Sequence, residues 1–256
     1  MQEIFNDLKT IIEQGIPAVL CVVTETTGST PRKAGSKMLV FHDGSVKGTI
    51  GGGSVEFQAI QDALKIISCG VPFTKRFHLE DDLKMHCGGT MEIYFEPIGC
   101  LPKLYIFGGG HIGKALAGYA TGLGFRPFVF DQREGIFEAW NLPGVETRNG
   151  DFLQIVDSLT FDRNTYIAIV THKHDFDETV LMACALREYA YIGMIGSKRK
   201  VAEIRKNAVE NKILSEEQIS KVDMPIGIPF AAETPAEIAI SIIAKMIDVK
   251  NTLKKS

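Results

Sequence analysis

LYIFGGGHIG, residues 104–113, decides the fold class of the second half of the chain. Gly108, Gly110 and Gly113 form a GxGxxG pattern directly after a predicted strand, Leu104–Phe107, and at the start of a predicted helix that begins at His111. In that context the motif indicates a dinucleotide-binding fold, in which the helix N-terminus offers amides to a phosphate. The alternative is that the glycines only let the helix pack closely on its strand.

Two further residues extend this candidate site. Asp131 ends the next predicted strand, eighteen residues after Gly113, where an acid can accept a hydrogen bond from a ribose hydroxyl. His111 is larger than the residue expected at its position, and we interpret it as a side chain that either crowds a ligand or contacts it.

Strand and helix patterns alternate after residue 104. Strands are predicted at 127–131, 166–171 and 191–195, and helices at 151–159, 176–189 and 198–209. This alternation predicts a Rossmann-like, doubly wound parallel sheet over residues 104–256. Pro102 marks a linker, 99–103.

Residues 1–98 are predicted to form a small mixed α/β domain. A β-branched run at 18–24 indicates a buried strand, and Asp43-Gly44 indicates a hairpin turn. A helix at 54–69 and strands at 73–79 and 90–96 complete this domain.

Composition limits the classes of function. Apolar residues make up 45% and charged residues 23%, the net charge is −3, and the five cysteines are scattered. These values favour a globular protein. They argue against nucleic acid or a membrane surface as a partner, and against a disulfide framework. The N-terminus lacks the pattern of a signal peptide, so we expect a cytoplasmic protein.

Three segments of the first domain carry candidate chemistry. The loop GTIGGGS, 48–54, contains Gly51, Gly52 and Gly53 before a helix and could bind an anion, or only begin that helix. Arg32, in a polar loop that covers residues 28–37, could bind a phosphate or carboxylate, unless the loop is only a solvated connection. Cys87, in HCGG, offers a soft ligand or nucleophile, although a lone cysteine is commonly a small buried hydrophobe.

His172 and His174 follow a predicted strand. If the strand continues, both side chains point the same way, and a metal site is one interpretation. The alternative is ordinary helix capping by Asp175 or Asp177.

Taken in order, these segments resemble the XdhC/CoxI family of xanthine dehydrogenase accessory factors. GSTPRKAGSKMLV, GTIGGGSVE and HCGG are similar to its N-terminal domain, and LYIFGGGHIGKALA, VFDQR, THKHDFDE, YIGMIGSKRK and ETPAEIA to its C-terminal Rossmann domain. The resemblance covers nearly the whole chain.

The resemblance implies a chaperone that binds the molybdenum cofactor, protects it while its terminal sulfur is added, and delivers it to a xanthine-dehydrogenase-type molybdenum hydroxylase. The implied partners are the apoenzyme and a sulfur donor, and a homodimer is expected. On this interpretation Arg32, the GTIGGG loop and Cys87 form the cofactor pocket at the domain interface, with Cys87 towards molybdenum. The resemblance also allows the glycine loop of the Rossmann domain to hold the cofactor instead.

Two other functions stay open at this stage. One is an NAD(P)-dependent oxidoreductase that uses the GxGxxG loop and Asp131, which would favour NAD. The other is a docking scaffold whose nucleotide site is vestigial. An accessory factor without enzymatic activity is the favoured interpretation.

Overall fold

The computed structural model describes residues 2–67, 70–80 and 88–253. The chain divides into two compact units, residues 1–101 and 102–256. Within the described ranges, no helix has both the length and the apolar character that crossing a membrane requires.

The first unit is an antiparallel sheet with two helices. Its elements are α1 (Gln2–Gln14), β1 (Ala18–Thr27), β2 (Lys37–Phe41), β3 (Val46–Gly48), α2 (Gly53–Ile66), β4 (Phe73–His78) and β5 (Thr90–Ile98). The strands lie in the order β3-β2-β1-β5-β4. The predicted hairpin at Asp43-Gly44 joins β2 to β3 and is confirmed, since Gly44 takes the positive φ of 81° that such a turn requires.

Each face of this sheet is covered by one helix. Alternate residues of β1 point to opposite faces. Val19, Cys21 and Val23 pack in one cluster with α2, while Leu20 packs in another with Ile11 of α1.

The second unit has a parallel sheet. Its elements are β6 (Lys103–Phe107), α3 (His111–Gly122), β7 (Arg126–Asp131), β8 (Glu146–Asn149), α4 (Phe152–Ser158), β9 (Thr165–Ile169), α5 (His174–Cys184), β10 (Tyr191–Met194), α6 (Lys198–Glu210), α7 (Glu216–Ser220) and α8 (Pro235–Leu253). The strand order is β10-β9-β6-β7-β8, with every neighbouring pair parallel.

Helices cover both faces of the parallel sheet. Leu104 and Ile106 of β6 pack against α3 and α8, whereas Tyr105 and Phe107 pack against α4, α5 and α6. The predicted doubly wound Rossmann class is therefore confirmed. The strand order reverses between β6 and β9, and ligands of open α/β sheets bind at the carboxyl ends of strands at such a point.

Some elements differ from prediction. Strand β8 was not predicted because all four of its residues are exposed and lack an apolar pattern. Helix α5 ends at Cys184, five residues before the predicted end at Tyr189.

Candidate functional site

Three of the predicted loops lie at the same end of the antiparallel sheet. Strand β1 ends there at Thr27, which pairs with Thr90, the first residue of β5. Strand β2 begins there at Lys37, and Gly48 at the end of β3 pairs with Met38. The connections 28–36, 49–52 and 88–89 therefore share one end of the sheet, which we call the loop end.

Close backbone contacts join these loops. A Cβ added to Gly89 would meet the carbonyl oxygen of Ser29 and would lie 2.7 Å from that of Thr27, and one added to Gly28 would lie 3.2 Å from the Gly89 Cα. A Cβ added to Gly51 would lie 2.6 Å from the Cγ of Pro31. The loop that carries Arg32 thus contacts both glycine segments, which the sequence placed far apart.

The predicted thiol, Cys87, lies outside the described residues, as do residues 81–86. It immediately precedes Gly88 in the chain. Burial raises the pKa of the Cys21 and Cys184 thiols to about 12, so neither is a thiolate at neutral pH.

The GTIGGG loop is held by a carboxylate that the sequence analysis did not assign. Gly51, Gly52 and Gly53 have φ values of 140°, 72° and 61°, which explains why three consecutive glycines are needed. Glu56 Oε2 accepts hydrogen bonds from the Thr49 hydroxyl at 2.6 Å and from the Ile50 and Gly52 amides at 3.2 and 3.0 Å.

These bonds favour the ionised form of Glu56 and occupy backbone amides of the loop. Burial acts to raise the pKa of Glu56, but the hydrogen bonds from Thr49, Gly52, Ile50 and Gly51 outweigh it and lower the pKa. The Ile50 and Gly52 amides therefore face the chain's own anion. Gly53 and Ser54, in the first turn of α2, are exposed. An acid three residues after the glycines was the signal for this contact.

A cavity of about 470 Å³ opens beside the loop end. Its lining residues are Ile4, Arg32, Ala34, Gly35, Ser36, Lys37, Gly48 and Thr49. Among these described residues two are cations and none is an acid. Lys37 Nζ donates to the Gly35 carbonyl at 3.0 Å. Arg32 is exposed, and within the described ranges its guanidinium contacts no acceptor. Such a cavity favours an anionic group.

In the second unit two of the three motif glycines, Gly108 and Gly113, are required by close packing. A Cβ on Gly113 would collide with the Gly108 carbonyl oxygen, and one on Gly108 would lie 2.6 Å from the Val170 carbonyl carbon. Gly110 is the N-cap of α3 and faces more open space, and His111 is exposed at the first helical position.

Asp131 is fully buried and is bonded to its own chain. Its Oδ1 accepts from the Arg133 amide and Nε, both at 2.9 Å, and its Oδ2 accepts from the Gly109 amide and Arg133 Nη2, both at 2.7 Å. Burial acts to raise its pKa, but these bonds and the Arg133 charge outweigh it and lower the pKa. Binding of a ribose by Asp131 stays a prediction, and in the structure Arg133 covers that carboxylate.

The arrangement at His172 and His174 differs from the prediction. Strand β9 ends at Ile169 and α5 begins at His174, so the strand does not continue to the two histidines, and the condition under which they would point the same way is not met. Instead Asp177 accepts from the Thr171 amide and hydroxyl and pairs with Lys200 at 2.7 Å. In the part of the chain that the structure describes, no three metal-ligating side chains cluster.

Sequence profiles settle the family of both units. The profile of the XdhC Rossmann domain matches residues 104–246, and that of the XdhC and CoxI family matches residues 11–78. The chain belongs to the XdhC and CoxI family. The predicted family is therefore confirmed.

The similarity to two curated relatives of this XdhC-family chain covers about half of each relative. The chain is 32% identical to the uncharacterized protein YqeB of Escherichia coli (strain K12), over 97% of this chain and 46% of YqeB. It is 25% identical to a probable xanthine dehydrogenase subunit of Bacillus subtilis (strain 168), over 64% of this chain and 48% of that protein. The chain thus spans about half the length of these two relatives.

A third relative is similar over most of both lengths. The molybdenum cofactor insertion chaperone PaoD of E. coli (strain K12) is 25% identical, over 92% of this chain and 84% of PaoD. Among solved structures, a protein from Bacillus halodurans described as a xanthine dehydrogenase superposes with a TM-score of 0.55 at 20% identity, covering 97% of this chain and 96% of the other. That likeness shows a shared fold.

Proposed function

We propose that this chain is a maturation factor that binds the molybdenum cofactor at the loop end and delivers it to a molybdenum hydroxylase of the xanthine dehydrogenase type. Family membership and the similarity to a relative named as a cofactor insertion chaperone support this role. The observation that carries it is the meeting of the Arg32 loop with both glycine segments at one end of the sheet.

The chemistry of the loop end fits an anionic pterin cargo. The cofactor carries a phosphate, and the cavity offers the Arg32 and Lys37 cations without an opposing acid among its described lining residues. Because Glu56 already fills the amides at Ile50 and Gly52, we assign the phosphate to the Arg32 side of the loop.

Cys87 is the second part of this proposal. The cargo presents a metal and sulfur atoms, for which a thiolate is the soft side chain of choice. Gly88 and Gly89 follow Cys87 in sequence, and their backbone lies against the Arg32 loop. We therefore assign the metal end of the cargo to Cys87.

Cofactor retention under anaerobic conditions tests the proposal. The purified chain is mixed with cofactor released from a molybdoenzyme and separated by gel filtration, and bound molybdenum and pterin are measured. We expect Arg32→Ala to weaken retention about tenfold, the effect of one charge-assisted hydrogen bond. Cys87→Ala should also reduce retention. Lys33→Ala is the matched control, since Lys33 is an exposed cation of the same loop that does not line the cavity.

The outcomes separate the functions. Retention that depends on Arg32 and Cys87, followed by activation of an apo-hydroxylase, supports the chaperone. A chain that retains no cofactor but reduces NAD(P) with a substrate is an oxidoreductase, and one that only binds the apoenzyme is a scaffold. Either of the last two results rejects the proposal.

A further inference from the structure

In the second unit, Arg133 lies beside the GxGxxG loop and occupies the carboxylate of Asp131. In dinucleotide-binding folds the acid at the end of the second strand accepts a hydrogen bond from the ribose 2′-hydroxyl. Here that acid, Asp131, receives four donors, and a carboxylate has about four lone-pair sites. No acceptor site is left for a ribose hydroxyl unless Arg133 moves away.

Arg133 presents the opposite chemistry at the same place. Its side chain is 37% exposed, and its Nε and Nη2 grip Asp131 as a two-pronged fork. A guanidinium has five N–H donors, so three remain. Within residues 88–253, no other acceptor contacts them.

The fork also fixes the position of the charge. Arg133 Nη2 lies 3.9 Å from the Cβ position of Gly110, the N-cap of α3, so the guanidinium stands beside the glycine loop. The buried Asp131 holds it there, which lowers the entropy that a binding guanidinium would otherwise lose. A fixed guanidinium edge is complementary to a phosphate monoester rather than to a hydroxyl pair.

We infer that Arg133 is a specificity-determining residue of the second unit, which makes the glycine loop select nucleotides that carry a ribose 2′-phosphate over those with a free 2′-hydroxyl. This inference reverses the preference that Asp131 alone would give. It concerns the Rossmann unit and is independent of cofactor binding at the loop end, so either can fail without the other.

Isothermal titration calorimetry of the full chain with NADP⁺ and NAD⁺ tests the inference. We expect NADP⁺ to bind at least about tenfold more tightly, as for one charge-assisted hydrogen bond. Adenosine 2′,5′-bisphosphate should likewise bind more tightly than adenosine 3′,5′-bisphosphate, which carries the same charge with one phosphate at a different position. Trp140 is the only tryptophan of the sequence, and its ring centroid lies 5.0 Å from that of Phe137. The Phe137 ring lies against Gly109, so the fluorescence of Trp140 reports binding at this loop.

Two variants identify the residue responsible. Arg133→Gln should bring the NADP⁺ and NAD⁺ affinities within about twofold of each other. A ratio of affinities is used because partial unfolding would weaken both nucleotides alike. Arg187→Ala is the control, since Arg187 is an exposed arginine of the same unit that pairs with Asp157. It should keep the tenfold preference.

Several results would overturn the inference. They are equal affinities or a preference for NAD⁺, no binding of either nucleotide at millimolar concentration, equal binding of the two bisphosphates, and an unchanged preference in Arg133→Gln.

Discussion

The contact of segment 88–89 with residues 27–29 at the loop end can be tested with two adjacent glycines. Gly88 and Gly89 are adjacent, but a Cβ added to each would meet different surroundings. At Gly89 it would meet the backbone carbonyls of Ser29 and Thr27, and at Gly88 only the Glu80 carboxylate, 3.0 Å away. Gly89→Ala therefore forces backbone apart, whereas Gly88→Ala only displaces the end of a flexible side chain.

The expected magnitudes follow from these distances. Ordinary contact with the Thr27 carbonyl oxygen requires a shift of roughly 0.7 Å, and this oxygen belongs to the last residue of β1, which is paired with Thr90 of β5. Overpacking of this kind costs about 1–3 kcal/mol, and the rigid backbone places Gly89→Ala near 3 kcal/mol. Gly88→Ala should change the free energy of unfolding by less than about 0.5 kcal/mol, because the Glu80 carboxylate can rotate away.

Urea unfolding measures the difference between the two variants. Far-UV circular dichroism follows both units, while the fluorescence of Trp140 reports the second unit. Gly89→Ala should lower the dichroism midpoint and leave the Trp140 midpoint unchanged, with cofactor retention reduced in parallel. If the two alanine variants unfold within about 1 kcal/mol of each other, segments 28–29 and 88–89 are not in contact, and the loop end is wrongly assembled.

Three further predictions concern buried charge and packing. The pKa of Glu56 is lowered in the folded state. Its stabilising effect is therefore present above the unfolded pKa of about 4.3 and is lost as pH falls through the lower folded pKa. In pH-dependent thermal melts, Glu56→Gln should lose less stability on acidification than the wild type. An equal loss would contradict this. Lys200→Ala removes the 2.7 Å ion pair of the buried Asp177 and should cost about 3 kcal/mol in urea unfolding, whereas the exposed Lys206→Ala should cost under about 0.5 kcal/mol. Similar costs for the two variants would refute this prediction. Gly113→Ala should destabilise the second unit by at least about 3 kcal/mol by the Trp140 midpoint, because its Cβ collides with backbone, and a near-normal midpoint would show that α3 packs differently.

Some site contacts were open to sequence reasoning and were not found. Glu56 follows the three glycines at a distance that lets its carboxylate turn back onto the loop. Arg133 follows Asp131 by two residues, and that spacing allowed the fork that the structure has. In both cases local spacing was the signal. The same spacing is equally compatible with an acid or a cation that points into solvent, so the sequence alone did not decide between the two.

Other features had no local signal. Strand β8 consists of exposed polar residues and is a strand only because β7 lies beside it. The shorter α5 ends where the chain leaves the helix at Ala185, within a run that keeps apolar character. Register and neighbours decide such elements, and neither is encoded within a short window.

By itself the sequence determined the hairpin turn, the alternation of strand and helix, and the glycine motif, because these depend on residues a few positions apart whose conformational limits are strong. Only the tertiary structure decided which loops meet. Thr27 and Gly89, or Gly108 and Val170, are brought together by strand pairing over long stretches of chain, so their contacts depend on the whole sheet. The carboxylate of Asp131, at the end of β7, is bonded by the neighbouring Arg133 instead of being left as a free acceptor, and that contact is local.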